Sequence, residues 1–256
     1  MNTGSKAITY RQFRANVWDN VETGVIVEQD VSLTVNGNVW LTFMCTPTDL
    51  ESLAVGFLYN EKIIDSCEDI ASVRVCPTFD NVDVWLQKTV GQPVMWRRTT
   101  GCTGGMTSTI PDPSEPANRP GDGITLSSRD IFQLLDKLFD SQELYRQVGG
   151  VHTSVLSDGR QVITSAEDIG RHNTLDKIAG RCLLDHITVQ KCLLITTGRI
   201  SSEMMQKAAR MGASVLISRT SPSSMAIDIA RREGITLVGY VHRDRFNVYT
   251  CPDRLV

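Results

Sequence analysis

Residues 99–105 read TTGCTGG and set one thiol, Cys102, among three glycines, directly after Arg97 and Arg98. A cysteine reacts as its thiolate, and nearby cationic groups favour that form. Glycines on both sides leave the sulfur accessible, so Cys102 is a candidate nucleophile. An incidental cysteine in a turn is the alternative. Cys45, Cys67, Cys76, Cys182 and Cys192 lie in apolar or helix-packing contexts and read as core, and Cys251 is undecided.

The densest polar cluster runs Glu167-Asp168-Ile169-Gly170-Arg171-His172-Asn173-Thr174-Leu175-Asp176-Lys177. It follows a predicted strand and opens a helix, where open α/β sheets commonly bind ligands. Either Arg171 and His172 serve a site, or the block is a capped, salt-bridged helix start. Thr196-Thr197-Gly198-Arg199-Ile200-Ser201 repeats the strand–turn–helix pattern. Free N–H groups there, with Gly198, Arg199 and Ser201, suit an anion, although the spacing is not that of a P-loop. Ser221 to Ser224 repeats it again after the next strand. Tyr240-Val241-His242-Arg243-Asp244-Arg245 is a basic turn with one aromatic ring: a nucleotide contact or a solvated hairpin tip. His152 stands alone on a predicted strand after Gly149-Gly150 and reads as structural. Serine-hydrolase, zincin and zinc-deaminase patterns are absent.

These residues must be positioned by a chain of 256 residues with 41% hydrophobic and 21% charged side chains, an ordinary globular composition. The net charge of −3 gives no general case for nucleic acid. No apolar run reaches the roughly 18 residues that span a bilayer. The N-terminal stretch has no apolar signal region. Seven scattered cysteines with no C-x-x-C argue against a disulfide framework or a tetrathiolate zinc site, and for a reducing cytoplasm.

The first hundred residues read as strands with one helix. Asn36-Gly37 marks a two-residue hairpin between Leu33–Val35 and Val39–Leu41. A helix starts near Thr48, with Thr48 and Glu51 at capping-box spacing. Residues 111–123 hold four of the nine prolines and read as a surface flap beside Cys102. Ser127 or Ser128 caps the next helix. A hairpin across Asp158-Gly159 and then alternating strands and helices imply an α/β layer structure.

Together these residues resemble the formate dehydrogenase accessory sulfurtransferase (FdhD) family. The resemblance rests on E-D-x-G-R-H-N-x-x-D-K at 167–177 and G-G-x-H at 149–152. Thr197-Gly198-Arg199 with Ser201 and Glu203, Gly239 to Arg245 with Asn247 and Tyr249, and the stretch from Cys45 to Leu58 also match it. It implies an α/β fold: a cytidine-deaminase-like three-layer larger domain without zinc (126–256), plus a smaller mixed α+β N-terminal region (1–125). It further implies a persulfide carrier. A cysteine desulfurase hands sulfur to Cys102, which passes it to the molybdenum bis(molybdopterin guanine dinucleotide) cofactor for a formate dehydrogenase catalytic subunit. The cofactor-binding residues implied are Tyr240, Val241, His242, Arg243, Asp244, Arg245, Gly198, Arg199, Ser201, Arg171, His172 and Ser221. A homodimer and a cytoplasmic location are expected. Two departures stand out. Many members carry C-x-x-C where this chain has Cys102-Thr103-Gly104-Gly105, and His242 stands where arginine is more usual. Two rival readings remain: a cofactor-binding chaperone without covalent transfer, and a nucleotide-processing enzyme on a deaminase-like scaffold.

Overall fold

The structure, a computed structural model, describes residues 4–93, 97–98, 106–107, 124–188 and 192–256. Cys102 and the flap at 111–123 lie outside the described residues.

The chain opens with a hairpin, β1 (Ser5–Arg14) and β2 (Val17–Ile26), paired antiparallel at all ten positions. Its turn residues Ala15 and Asn16 both take positive φ, 51° and 64°, the geometry a two-residue hairpin needs. Next come β3 (Gln29–Val35) and β4 (Asn38–Cys45), joined at Asn36-Gly37 with φ of 48° and 80°, as the dipeptide predicts. Helix α1 (Leu50–Asn60) starts where expected but not by the predicted capping box. Its N-cap is Asp49, in a left-handed conformation. Thr48 Oγ1 accepts a hydrogen bond from Lys177 instead, and Asp49 pairs with Arg181. With β5 (Ile70–Val75) and β6 (Asn81–Leu86), a four-stranded sheet forms in the order β4-β3-β6-β5. Its buried residues, Val31, Leu33, Val35, Val82 and Val84, pack on Leu53, Phe57 and Leu58 of α1. Two short strands, β7 (Arg97–Arg98) and β8 (Met106–Thr107), pair antiparallel on either side of the Cys102 segment in sequence.

The second half contains α2 (Ser128–Asp140), α3 (Leu144–Val148), β9 (His152–Ser157), β10 (Val162–Asp168) and α4 (Arg171–Leu184). It continues with β11 (Leu193–Thr196), α5 (Ser202–Arg210), β12 (Val215–Ser218), α6 (Ser224–Arg232), β13 (Thr236–Gly239) and β14 (Asn247–Thr250). Ser127, not Ser128, caps α2, in a reciprocal box with Asp130. The six strands order as β10-β9-β11-β12-β13-β14, with β11, β12 and β13 parallel. Side chains alternate across a strand, so each face collects one set. Leu193, Ile195, Val215 and Ile217 meet Ile131, Leu134 and Leu138 of α2. Leu194, Leu216 and Leu237 meet Leu175, Met204, Ala226 and Ile229 of α4, α5 and α6. Three layers result.

Helices α1 and α4 join the two sheets through a glycine crossing. A Cβ on Gly56 would overlap the Asp176 carbonyl oxygen, and one on Gly180 would overlap the Ser52 carbonyl oxygen. Only hydrogen at both positions allows this approach.

The cysteine reading is corrected at three positions. Cys45 and Cys192 are buried, but Cys67, Cys76 and Cys182 are only half-buried. Cys67 and Cys76 sit at the turns flanking β5 rather than within it.

Candidate functional site

Strands β11, β12 and β13 all end at one edge of the sheet, at Thr196, Ser218 and Gly239. Register places the start of β9 and the end of β10 at the same edge, since Thr196 pairs with Ser154 and His152 with Asp168. Five chain segments therefore meet there: His152, the Arg171–His172 helix start, the Thr197–Ser201 turn, the Arg219–Ser223 turn and the Tyr240–Arg245 turn. Crevices outside the carboxyl ends of parallel strands are the usual ligand sites of open α/β sheets.

The two middle turns are stitched together. Ile200 N–H donates to Ser221 O (3.1 Å), and Ser223 N–H donates to Ile200 O (2.9 Å). Ser218 Oγ donates to Gly198 O at 2.7 Å, and Gly198 N–H donates to Thr196 Oγ1 at 3.1 Å. Ser201 caps α5 by accepting the Met204 N–H, and Ser223 caps α6 by accepting the Ala226 N–H. Ser221 thus contributes its carbonyl to the stitch, and Ser223 is the cap. A Cβ on Gly198 would stand 2.8 Å from Arg171 Cβ, so glycine lets the turn lie against the arginine. Beneath it a hydroxyl chain links Thr196, Ser154 and Thr174 at 2.9 and 2.6 Å and ends on the Arg171 carbonyl at 2.7 Å. The result is two neighbouring helix N-termini on a hydrogen-bonded base, with positive dipole ends at the edge.

His172 Nε2 lies 3.2 Å from Ser201 Oγ, and His152 Nδ1 lies 3.3 Å from Thr197 Oγ1. Burial holds the His172 imidazole well below its ordinary value, and Arg171, Lys207 and His152 add to the effect. His152 is lowered too, first by burial and then by Arg171 and Arg199, against an opposing pull from Asp168. Both rings are therefore neutral near pH 7. Beside these rings the positive charge comes from Arg171, which is buried, and Arg199, which is exposed; Arg219, Arg243 and Arg245 add exposed charge farther along the edge. Arginines with neutral imidazoles and helix N–H groups favour an anion.

Tyr240 takes φ 52° and gives its N–H to Thr220 O at 3.0 Å. Its exposed ring, His242, Arg245 and Asn247 line a cavity of about 320 Å³. Arg243 and Asp244 are exposed at the tip. Val241 differs: its side chain is buried in the core, so only its backbone reaches this edge.

The Glu167–Lys177 block is for the most part internal. Glu167 accepts the N–H groups of Glu143, Leu144 and Tyr145 at the start of α3, at 2.9, 2.6 and 3.0 Å. Asp168 accepts from Gly170, Asn173 and Thr46 and pairs with Lys177. Asp176 accepts from Asn60 and Lys207 at 2.8 and 2.7 Å. Of the charged and imidazole side chains in the block, Arg171 and His172 are the two that touch the Thr197–Ser201 turn. The salt-bridged part of the helix-start reading is present in Asp168–Lys177 and Asp176–Lys207, the N-cap Gly170 makes no side-chain cap, and Arg171 and His172 lie beside the turn. His152, read as structural, stands at the same edge, against Thr197. The signal for it was Gly149-Gly150, both at positive φ, which turn the chain into β9 at this edge.

Among the described residues no three His, Cys, Asp or Glu side chains are grouped to hold a metal ion. No helix among them is long and apolar enough to cross a membrane.

Comparison with known proteins places this geometry in a lineage. A family model described as FdhD/NarQ matches residues 26–256. The chain is 34% identical over 241 residues to the sulfur carrier protein FdhD of Staphylococcus aureus strain MRSA252, covering 93% of this chain and 91% of the relative. The protein of the same name from strain Newman is 33% identical with the same coverage. A crystal structure from Desulfotalea psychrophila, assigned as a formate dehydrogenase accessory protein, superposes with a TM-score of 0.79. It is 29% identical and covers 99% of this chain and 100% of that one.

Proposed function

The chain belongs to the FdhD/NarQ family, and on that premise we propose that it is a sulfur carrier serving formate dehydrogenase, with Cys102 as the carrier thiol. The donor is a cysteine desulfurase. The Cys102 thiolate attacks the outer sulfur of the donor's persulfide; the donor's S–S bond breaks, and the donor cysteine leaves as thiolate. Cys102 then holds the persulfide, with no net oxidation. Delivery of that sulfur as sulfide takes two electrons. Because Gly105 stands where many relatives have a second cysteine, an external thiol supplies them: it attacks Cys102 Sγ, releases the outer sulfur and forms a mixed disulfide that further thiol reduces.

The acceptor we propose is the bis-guanine-dinucleotide molybdenum cofactor, bound as cargo. The observation that supports this most is the convergence of Arg171, Arg199 and the α5 and α6 N-termini at one edge, beside the Tyr240–Asn247 cavity. Phosphates suit the helix starts and arginines. A purine suits the Tyr240 ring and Arg245. His152 and His172, being neutral, hydrogen-bond rather than attract. The larger unit is read as a deaminase-like scaffold used without zinc, and the assembly as a homodimer.

The experiment is intact mass after incubation with a cysteine desulfurase and cysteine. A gain of one sulfur, absent in Cys102→Ala, is expected. Labelling of another cysteine, or a Cys102→Ala protein that fully activates formate dehydrogenase in a deletion strain, favours the cofactor-binding chaperone instead.

A further inference from the structure

Cys67 and His186, 119 residues apart in the chain, meet on the surface with Sγ 3.6 Å from Nδ1. Each is held by its own turn. Cys67 opens a 3-10 turn, Cys67–Asp69, whose Ser66 and Asp69 form a reciprocal capping box. His186 follows the end of α4 in a left-handed conformation, φ 52°. Its N–H bonds to Leu183 O, and the next N–H, of Ile187, bonds to Cys182 O. Glycine usually fills such a helix-ending position; here the residue there brings an imidazole to a thiol. Of the carboxylates near the pair, Glu68 accepts from Ser66 at 2.7 Å, Asp69 pairs with Lys88 at 3.2 Å, and Asp185 directly precedes His186.

We propose that Cys67 and His186 form a second reactive-thiol site, at which Cys67 exchanges with small disulfides. His186 Nδ1 takes the Sγ proton. The thiolate attacks one sulfur of the disulfide, whose S–S bond breaks. One half leaves as thiolate and takes the proton from the imidazolium; the other half stays bonded to Cys67. Cys67 is oxidised as the incoming disulfide is reduced, and excess thiol reverses the step.

Most of the other described cysteines are placed to stay silent. Burial, with Asp168 beside it, pushes the Cys45 thiol up to about 12. Burial raises Cys182 to about 11. Cys76 donates its S–H to Asp80 Oδ1 at 2.8 Å and lies 3.3 Å from Thr78 Oγ1, so its sulfur is already engaged. Cys192 is buried. The proposal does not depend on Cys102.

The test uses the full chain carrying Cys102→Ser, to remove that competing thiol, and the neutral reagent 2-hydroxyethyl disulfide near pH 7, with peptide mass mapping. Cys67 is expected to be modified about 10-fold faster than Cys76, Cys182 or Cys251, and His186→Asn to slow it about 10-fold. Asparagine tolerates the left-handed position, so the helix end is kept. At about pH 9 thiolate forms without a base, and the two proteins should converge. Modification of Cys67 at the rate of the others, an unchanged rate in His186→Asn, or a gap that persists at high pH would each overturn the proposal.

Discussion

Lys177 Nζ stands 2.7 Å from Asp168 Oδ2, and neither side chain has any exposed surface. The ammonium also reaches Thr46 O, Thr48 Oγ1 and Glu167 O at 3.1 to 3.3 Å. Asp168 meanwhile accepts the Thr46 N–H, and Asn173 donates to Met44 O. The pair therefore ties the β4–α1 connection to the start of α4, which in turn carries Arg171 and His172 to the site. Breaking one member of a buried pair leaves the other charge uncompensated and costs about 3–5 kcal/mol. Lys177→Met should lose that much in urea unfolding, and adding Asp168→Asn should restore part of it. A double variant whose loss equals the sum of the singles would refute the coupling.

The glycine crossing gives a second expectation. Gly56→Ala and Gly180→Ala each set a methyl against a backbone carbonyl that cannot move aside cheaply. Each should lower stability by about 3 kcal/mol, the upper range of overpacking. Gly91→Ala, with nothing within 4 Å of the added carbon, is the control and should change stability by less than about 0.5 kcal/mol. Equal melting temperatures for all three would show that the helices do not approach this closely.

His172 links stability to pH. Its folded value lies well below the ordinary 6.5, so the unfolded chain binds the proton first as the pH falls. The contribution is intact above 6.5 and is lost as the pH drops from there toward the depressed folded value. The loss proceeds at about 1.4 kcal/mol per pH unit. His172→Gln should flatten the decline in unfolding free energy between pH 6.5 and 5 by that slope. His152 acts in the same direction, and Asp176, raised by burial, in the opposite one. Both remain in wild type and variant, and because His152 acts on His172, the same comparison in a His152→Gln background separates the two rings. Parallel curves would place the His172 ring in contact with water.

Arg199 tests the anion reading without touching the core, because it is exposed at the α5 start. Arg199→Ala should keep the melting temperature and weaken guanosine diphosphate, measured by calorimetry, about 10-fold at low salt. Raising salt should shrink the gap between the two proteins, since exposed charges are screened. Equal affinities would remove Arg199 from the site.

The amino-acid sequence by itself determined the family, the alternation of strands and helices after residue 150, the Asn36-Gly37 hairpin and, to within one residue, the serine cap of α2. Each of these is written locally, in turn chemistry, hydrophobic period or a contiguous motif. The β1–β2 hairpin was not legible. Its turn is Ala-Asn rather than Asn-Gly, and Tyr10, Phe13, Val17 and Trp18 stay exposed, so no buried face imposes a clear alternation. The half-exposed Cys67 was read as core for the same reason: residue type reports a preference for burial, not the burial attained. Only the tertiary structure divided the Glu167–Lys177 block into buried clamp and site-facing residues. The partners that decide it, Thr46 for Lys177, Asn60 for Asp176 and Ser201 for His172, lie 131, 116 and 29 residues away. A polar side chain's role follows from which group reaches it when the chain closes, and no local spacing encodes that.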